Sequence, residues 1–210
     1  MEARPIAVLL MILALNAGWS QEVKYPKAKV SFDDFKQLVA EVEPYRAERL
    51  IDLDTFLKMS KEEGTIILDS RSDFRFDRIH LKGAKHLAFT DFTQGALRQL
   101  IPSSKTRILI YCNNNFDGNQ KDFASKVALP SGEPVSPWLP GTSPGTPVAT
   151  QLSVQAKPLM MALNIPTYIN LYGYGYRNVY ELDELVKVND PRITFEGTTV
   201  DRKIASPITK

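Results

Sequence analysis

Apolar positions along this chain fall into one continuous block followed by short, regularly interrupted runs. The block is residues 6–15, preceded by Arg4 and followed by the small residues Ala17, Gly18 and Ser20. A cation, an apolar core of that length and small residues in sequence predict an export signal over residues 1–20, cleaved after Ser20 or after Ala17. No later run reaches the roughly 18 apolar residues of a membrane helix, so no membrane span is expected once the signal is removed. Residues 21–29 are polar and basic with Pro26. Ser31 then precedes Asp33 and Asp34 as an N-cap with an acidic first turn, and Phe35, Leu38, Val39 and Val42 repeat at helical spacing. An extension over 21–48 carrying one accessory helix follows, with Pro44 ending or bending it.

From residue 49 the pattern alternates. Residues 50–51 read as a strand, 52–61 as a helix with Leu53, Phe56 and Leu57 on one face, and Gly64 as its stop. Residues 65–68 form a strand that delivers Asp69-Ser70-Arg71; a turn at 80–84, a short strand at 86–89 and a helix over 91–100 closed by Pro102 come next. The apolar run 107–111 is a strand, 120–127 and 151–163 have helical composition, 167–172 reads as a strand and 176–186 as a last helix. Strands alternating with helices predict an α/β fold with a parallel sheet covered by helices on both faces, over residues 49–189. Residues 190–210 form a tail in which 192–195 offers one further strand.

Six prolines among Gly, Ser and Thr mark residues 129–150 as an inserted surface segment. Trp138 inside it either packs back on the domain or meets a partner, so the insertion offers a surface for a protein. Tyr172, Tyr174 and Tyr176 likewise read either as a partner surface or as packing at an element's end.

Length and composition refine this picture only slightly. The 210 residues, 43% hydrophobic and 24% charged, suit one well-buried domain with extensions. A formal charge of +2 carries no nucleic-acid signature. Cys112 is the only cysteine, and an exported chain cannot pair it internally. It is an inert buried thiol, one half of an intermolecular disulfide, or a thiol kept for chemistry. Its place decides which deserves testing, because it ends a strand and opens the loop Asn113-Asn114-Asn115-Phe116-Asp117-Gly118-Asn119. A thiolate at the mouth of an α/β sheet, with loop amides and a helix N-terminus converging on it, would be a nucleophile of lowered pKa. Asn and Gly tolerate the left-handed backbone such a loop needs.

Five pieces in order resemble the rhodanese-like family: residues 66–71, His80-Leu81-Lys82-Gly83-Ala84, residues 108–112, Gly118-Asn119 and residues 168–173. The resemblance covers roughly residues 50–186 and implies a rhodanese-like sheet and a sulfurtransferase or persulfide carrier. Cys112 would accept sulfane sulfur from a small donor and pass it to a thiol or other nucleophilic acceptor, with the amides of Asn113 to Asn119 as the cradle. Asp69 and Arg71 are implied to form a buried ion pair that ties loops near the site, and His80 to support a turn, although His also titrates in the range of a general base. No cofactor and no metal are expected. An exported, periplasmic or secreted location completes the expectation.

Several features depart from the family's pattern. Thiosulfate-handling members carry a cation in a shorter loop, whereas residues 113–120 are longer, hold none and include Asp117, which argues against fast thiosulfate turnover. Phosphatase relatives need arginine six residues after the cysteine, where Gly118 stands. The spacing Asn113, Asn115, Asp117, Gly118 imitates half a calcium loop, yet the closing bidentate acid would fall on Ala124. A catalytically weak or inactive binding module of the same fold is the alternative reading.

Overall fold

The computed structural model describes residues 25–128 and 159–200. The expected signal, the Pro-rich insertion with Trp138, most of the helix expected at 151–163, and the end of the tail lie outside the described residues. Contacts divide the chain into two compact units, Met1–Asp33 and Asp34–Lys210. In the first, residues 25–31 are an exposed, irregular lead-in to a helix. The sheet, both cores and Cys112 belong to the second.

In chain order the elements are α1 (Phe32–Ala47), β1 (Leu50–Ile51), α2 (Leu53–Met59), β2 (Thr65–Asp69), α3 (Asp73–Arg78), β3 (His80–Leu81), β4 (Lys85–His86), α4 (Gln94–Leu100) and β5 (Arg107–Tyr111). After them come β6 (Phe116–Asp117), β7 (Val127–Ala128), β8 (Leu159–Met160), α5 (Asn164–Gly173), β9 (Val179–Leu182), β10 (Val186–Lys187) and β11 (Phe195–Glu196). Five strands form one parallel sheet in the order β1-β9-β5-β2-β4. Strand β5 is central, so Ile108 to Tyr111 are at most 1% exposed and both faces of the strand are apolar. Ile108 and Ile110 join Leu68, Leu97, Tyr168 and Leu171 in one core. Leu109 and Tyr111 join Phe56, Leu81, Phe116 and Phe123 in the other. The α/β class with both faces covered is therefore the observed one.

Sequence propensity misplaces five segments, one of them the end of the helix expected over 151–163, whose described residues 159–163 form β8 and irregular chain. Residues 167–172, rich in Tyr, Thr and Ile, are helical in α5 because Tyr168, Leu171 and Tyr172, at 3.6-residue spacing, must all reach the first core. Pro166 fits there, since first-turn N–H groups have no partner within a helix. Residues 176–186 are not a helix: Val179 to Leu182 pair with β5 and β1. Their acidic, helix-like composition reflects Glu181, which is 3% exposed and gripped by Arg46 Nε and Nη2, both at 2.6 Å. Residues 120–127 do not form a helix either. Asn119 closes a turn by accepting from Phe123 N, and Phe123 packs its ring 4.5 Å from that of Phe116. The helix α3 went unpredicted because its six residues carry no buried position. Pro44 lies within α1, which continues to Ala47: a proline so near the end removes one hydrogen bond without stopping the last turn. The tyrosines pack inward, with Tyr172 and Tyr176 buried and the Tyr174 hydroxyl donating to Phe92 O at 3.0 Å. Among the described residues no helix is long and apolar enough to cross a membrane.

Residues 190–200 return along the domain. β11 pairs antiparallel with β3, and Ile193, Phe195 and Val200 lie against the second core. Gly197 has φ of 125°, and a Cβ there would stand 2.6 Å from Arg78 O. Gly64 has φ of 75° with open space around it. Both positions penalise a side chain through φ, so the difference between them isolates the close approach. Gly197→Ala should cost about 1–3 kcal/mol more than Gly64→Ala in calorimetric unfolding; equal losses would show that the segment is not seated against α3.

Candidate active site around Cys112

Cys112 leaves the C-terminal end of β5 and caps a single 3-10 turn at Asn113–Asn115. It is 1% exposed. The strand end exists because Tyr111 and Asp69, register partners on neighbouring strands, turn their side chains to the same face. Tyr111 donates its hydroxyl to Asp69 Oδ2 at 2.5 Å and accepts from Leu81 N at 3.1 Å. Burial, and then the Asp69 charge, push the Tyr111 phenol well above its ordinary value, which keeps it a donor.

Asp69 also holds Arg71. The Arg71 Nη2 lies 2.6 Å from Asp69 Oδ2, Nε lies 3.0 Å from Oδ1, and the pair is at most 2% exposed. Nη2 donates further to Ile79 O at 2.6 Å and Nη1 to Asn113 Oδ1 at 3.3 Å. The expected ion pair is thus present, and it reaches the residue directly after Cys112. His80 and His86 buttress it from the side. His80 donates Nδ1–H to Phe76 O at 2.7 Å, His86 Nε2 lies 2.8 Å from Arg71 O, and the Phe76 ring is stacked by both imidazoles. His80 thereby joins the start of β3 to α3.

The loop works differently from the expected amide cradle. Asn114 and Asn115 act through side chains, while Asn113 offers Sγ its main-chain amide. Asn115 Oδ1 accepts from Cys112 N at 2.8 Å and from Asn164 Nδ2 at 2.9 Å, while its Nδ2 donates to Leu182 O at 2.7 Å. Asn114 pins the chain before β7, accepting from Lys126 N at 2.7 Å and donating to Lys126 O at 3.1 Å. Phe116 is core, and Asp117 is an exposed residue of β6 paired with Lys187 of β10. Gly118 takes φ of 90° to leave that strand, and Asn119 Nδ2 donates to Asp122 Oδ2 at 3.0 Å. Asp122 is fixed in turn by Arg78, whose Nε stands 2.7 Å away.

The amides that face Sγ come from Asn113 and from Leu163, whose N–H donates to Sγ at 3.3 Å. No sequence signal identifies Leu163, because its contribution is main-chain and 51 residues distant. Asn164 and the Arg78–Asp122 pair were also not foreseen; Tyr111 could have been, as the residue opposite Asp69 in a predicted strand pair. Residues 120–127 are non-helical, so the helix N-terminus that faces the thiol is that of α5, whose N-cap is Leu163. Burial pushes the Cys112 thiol up, against the opposing pull of the Leu163 and Asn113 amides and of Arg71. Among the described residues, no group of three or more His, Cys, Asp and Glu side chains is placed to hold a metal ion.

Residues 52–133 match a family model described as the rhodanese-like domain. No curated protein matches the chain. Among solved structures, the BH2092 protein from Bacillus halodurans is similar at 18% identity and a TM-score of 0.28; the match covers 44% of this chain and 64%, under two thirds, of that one.

Two outcomes follow from this geometry. Asp69→Ala strands a buried guanidinium and should cost about 3–5 kcal/mol in urea unfolding, whereas Asp117→Ala, on an exposed strand position, should stay within about 0.5 kcal/mol. Iodoacetamide alkylation of Cys112 should rise with pH to a midpoint above that of a free cysteine, and Asp117→Asn should leave that midpoint unmoved. The thiol's raised value also has a sign for stability. Below the free-thiol range both states are protonated; as pH rises through it the unfolded chain ionises first, so stability falls, and Cys112→Ser should abolish that part of the fall.

Proposed function

We propose, for a chain that carries a rhodanese-like domain at residues 52–133, that Cys112 is the sulfur-accepting thiol of a sulfurtransferase or persulfide carrier. The observation that carries this reading is the placement of Sγ at the end of the central strand, under the Leu163 amide and near the Arg71 guanidinium. Amides and a guanidinium favour an anion, and both the thiolate and a persulfide are anions. The donor's sulfane sulfur is attacked by the Cys112 thiolate, a new S–S bond forms, and the donor's S–S bond breaks with its electron pair leaving on the departing group. An acceptor thiolate then attacks the outer sulfur and Cys112 leaves as thiolate, so one sulfur atom moves with no external oxidant. The low exposure and raised pKa make loading slow near neutrality and faster in alkali. The apolar block at residues 6–15 supports an exported setting for this chemistry.

A second reading, a binding module without turnover, is favoured by one observation: Cys112 is 1% exposed. Mass spectrometry separates the two. Incubation with a thiosulfonate or a low-molecular-weight persulfide at pH 9 should add one sulfur, about 32 Da, to the intact protein, and Cys112→Ser should remove the gain. No gain with either donor would leave the binding module.

A further inference from the structure

A cleft of about 490 Å³ lies beside the Cys112 turn, and its wall includes Asn114 and Asn115 of that turn. Asn115, which binds Cys112 N, lines it; so do Ala162 and Asn164, the residues on either side of Leu163, whose amide reaches Sγ. The cleft has two further properties. Its charged residues are Arg46, Glu181, Asp183 and Glu184, and Arg46 is committed to Glu181 through two 2.6 Å bonds. Asp183 and Glu184 therefore leave the opening acidic. Glu184 has one oxygen on Leu53 N at 2.8 Å, and Asp183 has no ion pair among the described residues.

The rim is apolar. Met160, Ile165 and Leu185 line the cleft while 64%, 48% and 67% exposed, and Met161 beside them is 61% exposed. These are four of the nine large apolar side chains exposed among the described residues, gathered at one place. Scattered exposed leucines need no explanation, but a contiguous group with two flexible methionines is the composition of a protein-docking surface. The patch also extends past the cleft, which a small sulfur compound would not use.

Resting on the sulfur-transfer reading of Cys112, we infer that this cleft docks the thiol- or persulfide-bearing segment of a protein partner, and that the segment is apolar and basic. Charge complementarity selects the partner's sign: an acidic mouth repels a dianion such as thiosulfate and attracts lysine or arginine beside the reacting sulfur. The loop after Cys112 holds no cation to reverse that preference. The whole chain has a formal charge of +2, so non-specific attraction would favour an acidic peptide, and a preference for a basic one would have to be local.

The test uses the full chain and two labelled twelve-residue peptides, one alternating Leu and Lys and one alternating Leu and Glu, each with a central serine. Fluorescence anisotropy should show binding of the Leu–Lys peptide only. Leu185→Ser should weaken it about tenfold and Asp183→Asn about threefold, with the loss from Asp183→Asn shrinking as salt rises. Equal binding of both peptides, or binding that neither variant alters, overturns the inference; the latter would place the peptide on the inserted segment or elsewhere. A second arm replaces serine with cysteine and follows sulfur leaving persulfidated Cys112 by mass. Transfer without a Leu–Lys preference overturns the docking inference and keeps the enzyme. Selective binding with no persulfide ever formed on Cys112 overturns the sulfur-transfer reading and keeps the docking site.

Discussion

The Asp69–Arg71 ion pair is the constraint on which the Cys112 end of the sheet depends. A guanidinium at 2% exposure would be prohibitively costly alone, and it is tolerated because its bonds are satisfied from several directions. Asp69 supplies the counter-charge from the end of β2, Ile79 O ends α3, and Asn113 Oδ1 opens the loop after β5. The guanidinium also lies 4.9 Å over the Phe123 ring, which belongs to the turn beyond β6. One buried cation thus fixes the relative positions of four chain segments around Cys112. Tyr111, bonded to the same carboxylate, extends the network into the central strand.

That arrangement has a consequence for the thiol. A guanidinium bonded so closely to a carboxylate has little net charge to offer a neighbour, and Asp69 itself opposes ionisation of Cys112. The two amides near Sγ help, yet removal from water is the larger effect. Within the pair Arg71 pulls the thiol's pKa down more than Asp69 pushes it up, and burial outweighs both.

How much of this was legible in the sequence follows from where the information lies. The strand at 107–111, the strand at 65–69 and the helix after Asp52 are local patterns with clear stops, and each is found within a residue or two. The position of Cys112 at a strand end follows from them. The misread segments are those in which tertiary burial overrides local preference. Residues 167–172 look β-prone but provide a helix face for the core, and Glu181 looks surface-like but is neutralised by Arg46 from α1, 135 residues away. The resemblance accordingly located Cys112, Asp69, Arg71 and His80, while attaching its last piece to α5 in place of the strand β9. Leu163 was invisible, because a main-chain amide carries no residue type.

The asparagine-rich loop then acquires a different meaning. Backbone amides arranged around an anion would bind donors by charge alone and would accept any small anion. Here Asn114 and Asn115 use their side chains to bond Lys126, Cys112 N, Leu182 O and, through the amide group of Asn164, the start of α5. A loop built this way is a bracket: it joins the cysteine to β9 and to the chain on either side of the β7–β8 ribbon. Under the proposed docking, discrimination between partners would come from the surfaces that the bracket positions. Those are the acidic residues Asp183 and Glu184 and the apolar rim of Met160, Ile165 and Leu185. The absence of a cation from residues 113–120 and the acidity beside them act in one direction, since each disfavours an anionic ligand and neither impedes a neutral or basic one.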